Sequence, residues 1–197
     1  MEGAAEWDAR FRSRDHSGPK PDPFLTSAKE FFTALPAGAA ALDVACGAGR
    51  HAVWLAAQGF RVTAVDFSSE ALEKTRLLAQ ERGAAVECRL VDLESPGIDL
   101  GRDVYDLICG FFFLHRPIFS TLLKALRPSG LLIYKTYSID QLRYPGRPRH
   151  PMHLLDHNEL LRLASGLRVL RYEERWHPSG TAAIVAQKQP LKSSGRP

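Results

Sequence analysis

Ala41-Leu42-Asp43-Val44-Ala45-Cys46-Gly47-Ala48-Gly49-Arg50 is the stretch that decides the fold. It reads as a short buried strand running into two closely spaced glycines and then into a helix. Glycines at such a turn let the backbone approach a bound ligand closely, and the helix start offers N–H groups without intrahelical partners. Gly47, Gly49 and Ala52 also satisfy the Gly-x-Gly-x-x-Gly/Ala pattern, so the loop alone fits more than one nucleotide-cofactor class.

Outward from this loop, short apolar runs alternate with amphipathic stretches, the signature of βα units on a mainly parallel sheet. Ala40 to Val44 reads as the first strand, with a helix from Gly49 that Gly59 ends, and Arg61 to Val65 as the second strand. Ser68 suits the N-cap of the next helix, whose apolar face carries Leu72, Thr75, Leu78 and Ala79, with Gly83 beyond its end. Ala85 to Val91 and Val104 to Cys109 follow as strands three and four. Pro117 opens a helix with the stripe Ile118, Phe119, Leu122, Leu123 and Leu126, and Pro128 is expected to stop it. Leu131 to Tyr137 is strand five. Asp156 and Glu159 have capping-box spacing for a helix that Gly166 breaks. Leu167 to Glu173 and Thr181 to Gln187 are joined by so short a link around Pro178 to Gly180 that they must form an antiparallel hairpin.

The 197 residues suffice for one domain with its own core, and the 45% hydrophobic and 24% charged fractions are ordinary for a globular chain. We expect an N-terminal helical cap or lid over residues 1–38, the sheet domain over 39–188 and a flexible tail over 189–197. The net charge of +4 is spread through most of the sequence rather than gathered on one stretch, so a nucleic-acid partner is not indicated. No apolar run approaches the roughly 20 residues of a membrane span. Three cysteines without Cys-x-x-Cys spacing argue against a disulfide framework and a thiolate metal site, and fit a cytoplasmic protein. Neither a metal nor an oligomeric state is indicated.

Three carboxylates stand at strand ends: Asp43, Asp66 and Asp92. Open α/β sheets bind ligands at the C-terminal edge of their strands. A carboxylate at the second strand's end can accept hydrogen bonds from ribose hydroxyls, in either cofactor class. Asp43 discriminates between them, because dinucleotide-binding domains usually carry an apolar residue there, whereas a carboxylate can meet the ammonium of an amino-acid moiety. That favours S-adenosylmethionine over NAD. An NAD-dependent oxidoreductase and a non-catalytic cofactor-binding module remain the alternatives.

Asp43 to Arg50, Val65-Asp66-Phe67-Ser68, Val91-Asp92-Leu93, Tyr105-Asp106-Leu107-Ile108 and Leu126-Arg127-Pro128-Ser129-Gly130 resemble the ordered motifs of class I S-adenosylmethionine-dependent methyltransferases. Trp7 to Phe11, the Cys-Gly-x-Gly-Arg loop and Tyr172-Glu173-Glu174 are most similar to the tellurite-resistance, TehB-like branch related to thiopurine methyltransferases. The resemblance implies a Rossmann-like three-layer α/β/α sandwich, with a seven-stranded, mainly parallel sheet in the order 3-2-1-4-5-7-6 and strand 7 antiparallel. It further implies Asp43 near the methionine end of the cofactor and Gly47 and Gly49 beneath it. Asp66 would lie at the ribose, Asp92 and Leu93 at the adenine, and Cys109 and Gly110 beside the methionine portion, with Ala45 and Phe67 also among the cofactor-binding residues. Ser129 replaces the usual second glycine of a Pro-Gly-Gly turn, which is tolerable if its φ is negative.

The acceptor of this implied methyl transfer is expected to be a small molecule: a thiol, a chalcogen oxyanion or similar. No catalytic residue is forced. His115 and Arg116 follow strand four, where this fold meets its acceptor, or they cap the next helix. His177 lies on the terminal hairpin, where chalcogen-oxyanion relatives carry basic residues. Arg147 and Arg149, on the Pro-stiffened loop from Arg143 to Pro151, either recognise an anionic acceptor or are merely solvated.

Overall fold

The computed structural model describes residues 4–13, 20–146 and 148–190. Within these residues seven strands form one sheet: β1 (Ala40–Val44), β2 (Arg61–Asp66), β3 (Val86–Leu90), β4 (Tyr105–Phe111), β5 (Leu126–Tyr137), β6 (Leu167–Arg175) and β7 (Thr181–Lys188). Their order is β3-β2-β1-β4-β5-β7-β6, with β7 antiparallel to both neighbours. The fold expected from the sequence is therefore the fold observed. β1 and β4 are buried along nearly their whole length because helices lie on both faces, which is why their sequences are continuously apolar rather than alternating.

Among the described residues six α-helices flank the sheet: α1 (Ala4–Ser13), α2 (Pro23–Ser27), α3 (Arg50–Ala57), α4 (Ser69–Glu81), α5 (Ile118–Ala125) and α6 (Glu159–Leu163). On one face Phe24 and Leu25 of α2, Leu55 of α3 and Leu72 of α4 pack on Ala41, Ala64, Leu107 and Ile133. On the other, Ile118, Phe119 and Leu122 of α5 and Leu160 of α6 pack on Leu42, Ile108, Leu132 and Ile184. Ser68 caps α4 as its chemistry predicts, its hydroxyl accepting from the Ala71 N–H at 3.1 Å.

Three local expectations change. Pro128 does not stop α5; the helix ends at Ala125, and the chain passes directly into β5 at Leu126. A bulge opposite Tyr105 and Leu107 accommodates the Arg-Pro-Ser-Gly turn there, and Ser129 sits in it at φ +66°, not at negative φ. The turn keeps its left-handed geometry and Ser129 bears the strain that glycine would avoid. The Asp156–Glu159 box is half formed: Glu159 Oε2 accepts from the Asp156 N–H at 2.8 Å, while Asn158 takes the N-cap position.

Residues 91–104, between β3 and β4, carry no helix. Pro96, Gly97 and Gly101 punctuate this crossover, and the β2–β3 end of the sheet is left uncovered on the face that α5 covers further along. There Thr63, Glu87 and Arg89 line an open trough of about 1160 Å³, with Thr63 and Arg89 both bonded to Glu87. At the N-terminal edge, Asp106 ties the start of β1 to β5 by accepting from the Ala40 N–H at 2.8 Å and from Arg127 at 2.7 Å.

The terminal hairpin docks through Gly180, whose N–H meets Gln141 Oε1 at 3.2 Å and whose carbonyl accepts from the Ser138 N–H at 3.1 Å. A Cβ at Gly180 would lie 2.0 Å from the Gln141 nitrogen and 2.3 Å from the Asp140 carbonyl carbon, backbone atoms that cannot turn aside. Gly180→Ala should therefore cost about 1–3 kcal/mol or more in urea unfolding. A midpoint equal to wild type would show that the hairpin docks more loosely than described.

Candidate active site at the strand C-termini

The strand order reverses between β1 and β4, so their connections leave in opposite directions and open a crevice at the C-terminal edge. Asp43 lies at the end of β1 in this position, opposite Cys109 of β4. Its carboxylate is 1% exposed; Oδ1 accepts a weak bond from the Cys109 thiol at 3.4 Å, and Oδ2 has no partner. Burial, partly offset by the thiol and the Ala52 N–H, pushes its pKa up to about 7. A buried carboxylate with one oxygen unpaired is costly unless a donor arrives, and a cationic one compensates most.

Asp66, at the end of β2, is also buried. Its Oδ2 accepts from the Gly47 N–H at 2.9 Å and its Oδ1 from the Ser68 N–H at 3.0 Å, so it fastens the glycine loop to the N-terminus of α4. Burial raises its pKa against the pull of these bonds. Phe67 beside it is half-buried. Asp92 is exposed and accepts from the Glu94 N–H at 2.9 Å and the Ser95 hydroxyl at 2.7 Å; the Ser95 bond heads the causes that lower its pKa. Leu93 turns inward and is buried.

The loop itself is left-handed at Ala45, Gly47 and Gly49. Packing fixes Gly49 as well as φ: a Cβ there would come within 2.5 Å of Thr75 of α4. Gly110 is likewise required by the Tyr134 ring, 2.3 Å from a Cβ, rather than by close approach to a ligand. Gly47 is different, since among the described residues only the Phe11 ring of α1 comes near, at 3.6 Å. That helix lies across the loop and is held at α4 by Asp8, which accepts from the Ser68 hydroxyl, and by Arg12, 2.8 Å from Glu70.

Sequence reasoning overlooked a second buried titratable group, on the helix that follows the glycine loop. His51, in the first turn of α3, is buried, stacks 4.2 Å from the Phe111 ring and leaves Nε2 without a partner. Burial first, then the charges of Arg50 and Lys135, lower its pKa to about 3, so the imidazole stays neutral. Lys135 of β5 is clamped by both oxygens of Asp22 at 3.0 Å. Phe112 follows β4 at φ +60°, stacks 5.0 Å from Tyr137 and lies within 6 Å of two cations, Arg50 at 5.9 Å and Lys135 at 5.6 Å.

The acceptor candidates are scattered. Arg116 is committed to Glu159 by two bonds of 2.6 and 2.9 Å and to the carbonyls of Met152 and Leu154. That ties α6 to the start of α5. His115 is half-buried and near enough to Asp92 to be among the groups that lower the Asp92 pKa. His177 is exposed on the hairpin, 3.4 Å from the Tyr144 hydroxyl. Arg149 donates to the carbonyls of Tyr144 and Leu142, and Arg147 lies outside the described residues.

Residues 41–130 match the protein family described as "Methyltransferase domain". A ubiquinone biosynthesis O-methyltransferase from Xanthomonas axonopodis pv. citri is 31% identical over 105 residues, covering 51% of this chain and 44% of that protein. The chain thus spans under half the length of that curated relative. Among solved structures, one described as "Conversion of a Disulfide Bond into a Thioacetal Group during Echinomycin Biosynthesis" superposes with a TM-score of 0.72 at 20% identity, covering 98% of this chain and 94% of that one. TehB from Haemophilus influenzae superposes with a TM-score of 0.71 at 16% identity, covering 93% and 67%. At these identities the structural likeness speaks for the fold. That fold and the family match over residues 41–130 both speak for a class I, S-adenosylmethionine-dependent methyltransferase domain. The same matches favour S-adenosylmethionine over NAD as the cofactor of the glycine loop.

Asp43 has a measurable consequence for stability. Its pKa rises from 3.8 toward 7 on folding, so the folded state binds the extra proton in that window. Its contribution is full below about pH 4 and is lost as pH rises through 7. Asp43→Asn should therefore raise the urea midpoint of the cofactor-free protein at pH 8 and change it little at pH 4. Equal effects at both values would mean that the carboxylate is not buried as described.

Proposed function

We propose that this chain is an active methyltransferase that transfers the methyl group of S-adenosylmethionine to a nucleophilic oxygen, sulfur or chalcogen atom of a small molecule. The observation that carries the proposal is the unpaired Oδ2 of Asp43, buried at the β1–β4 switch point, where an ammonium would supply the missing donor. Asp43 and Ala45 would hold the amino-acid end of the cofactor, with Gly47 and Gly49 beneath it. Asp66 and Phe67 would hold the ribose, Asp92 and Leu93 the adenine, and Cys109 and Gly110 the wall beside the methionine portion. Residues 1–38 would act as a cap, with α1 already across the glycine loop.

When bound, the cofactor supplies a methyl group already activated on a sulfonium. The chain's own work is then to hold the acceptor in line and exclude water, which can contribute up to roughly 7–11 kcal/mol in favourable cases. No strong base is needed for an acceptor that arrives ionised. His51 is too acidic to serve as one. His115 and His177 remain candidates for acceptors that must lose a proton, while Arg147 and Arg149 would stand on the rim. Three free thiols fit work in a reducing compartment, the cytoplasm, and among the described residues no helix is long and apolar enough to cross a membrane.

Calorimetry should show binding of S-adenosylhomocysteine and none of NAD. Asp66→Ala should weaken that binding by about 1–3 kcal/mol with the circular-dichroism spectrum retained. NAD binding with no response to adenosylhomocysteine would overturn the proposal.

A further inference from the structure

The acceptor side of the edge has a chemical character of its own. Phe112 carries a bulky side chain at positive φ, a conformation that costs of order 1–3 kcal/mol and persists only where the surroundings impose it. Its N–H is fixed to the Lys135 carbonyl at 2.8 Å, and its ring stands 37% exposed beside Tyr137 instead of entering the core behind Phe111. Strain thus holds an aromatic face at the mouth of the switch-point crevice.

The charges around that face are unequal. Lys135 is neutralised by Asp22, whereas the Arg50 guanidinium forms no ion pair or side-chain hydrogen bond among the described residues. Arg149, one of the two arginines that the sequence suggested for this task, and Arg116 have donors engaged by carbonyls or by Glu159, and Arg147, the other, lies outside the described residues. What remains is an aromatic surface next to one planar cation that has no bonded side-chain partner among the described residues and whose field also reaches Asp43.

We propose that Phe112, Tyr137 and Arg50 form the seat of the methyl acceptor, and that the acceptor is an aromatic ring bearing an ionised oxygen, a phenolate. This deepens the methyltransferase reading and rests on it. A ring gains from stacking on Phe112 and Tyr137, which a small oxyanion could not use. A guanidinium pairs with the ionised oxygen and favours it over the neutral phenol. In the reaction the phenolate oxygen forms a bond to the methyl carbon as the sulfur–methyl bond breaks. Its negative charge cancels the sulfonium charge, and a methyl ether and adenosylhomocysteine leave, both uncharged at the reacting atoms.

The probe is nitrocatechol, acidic enough to be an anion near neutral pH, compared with uncharged catechol and with mercaptoethanol. Calorimetry on the full chain saturated with adenosylhomocysteine should show nitrocatechol bound at least tenfold more tightly than catechol, with mercaptoethanol unbound. Arg50→Gln should remove that preference, while adenosylhomocysteine affinity stays within threefold. Phe112→Ala, a second variant that removes the ring and keeps a Cβ at the same backbone position, should weaken both catechols alike. Failure of the saturated protein to bind nitrocatechol overturns the seat alone. So does an Arg50→Gln variant that loses adenosylhomocysteine and keeps nitrocatechol, since Arg50 would then serve the cofactor. Failure to bind adenosylhomocysteine at all overturns the methyltransferase reading, and the seat with it.

Discussion

A carboxylate buried where the strand order reverses is the constraint on which the rest of this structure depends. Asp43 ends β1 with one oxygen on a weak thiol donor and the other on nothing. The Cys109 thiol, the Ala52 N–H and the Arg50 charge offset its burial in part, and burial still pushes its pKa into the neutral range. Its neighbours are arranged around that cost rather than against it. Asp66, the glycine turn and the first residues of α4 form a bonded frame, and α1 is laid across the frame. Stability that an apolar residue would supply at Asp43 is given up, a trade familiar from binding sites, and under the proposed function the carboxylate meets the cofactor's ammonium.

The fold was legible because it rests on periodicity and on one turn. Continuous apolar runs marked buried parallel strands, Ser68 marked a cap and the short Pro178–Gly180 link forced the antiparallel return. The reasons for particular residues were less legible. Gly49 and Gly110 read as openings toward a ligand, yet contacts with Thr75 and Tyr134, far away in sequence, fix them. Pro128 read as a helix stop, but the bulge opposite Tyr105 and Leu107 admits it within β5. The bare β2–β3 face followed from Pro96, Gly97 and Gly101, which deny a helix to the third crossover, a signal present in the sequence and passed over.

The cofactor edge was legible as acidic residues at strand ends, and the structure brings Asp43, Asp66 and the loop together. The acceptor edge was not. Its aromatic surface depends on the φ of Phe112, and its charge balance on a pairing between Asp22 and Lys135 across 113 positions, neither of which a local pattern reveals. Arginine density pointed instead to the loop from Arg143, where Arg149 proves to be tied to its own backbone. His51 offered a sequence hint, an imidazole among apolar residues of α3, and burial together with two neighbouring cations explains why it stays neutral.

The most direct measurement is the carboxyl titration of Asp43 by carbon NMR, with and without adenosylhomocysteine. In the free protein the midpoint should lie near 7. With the ligand bound, its ammonium should stabilise the carboxylate and bring the midpoint down into the ordinary carboxylate range. A midpoint that is the same in both states, while adenosylhomocysteine demonstrably binds, would contradict a role for Asp43 as the partner of the cofactor's ammonium.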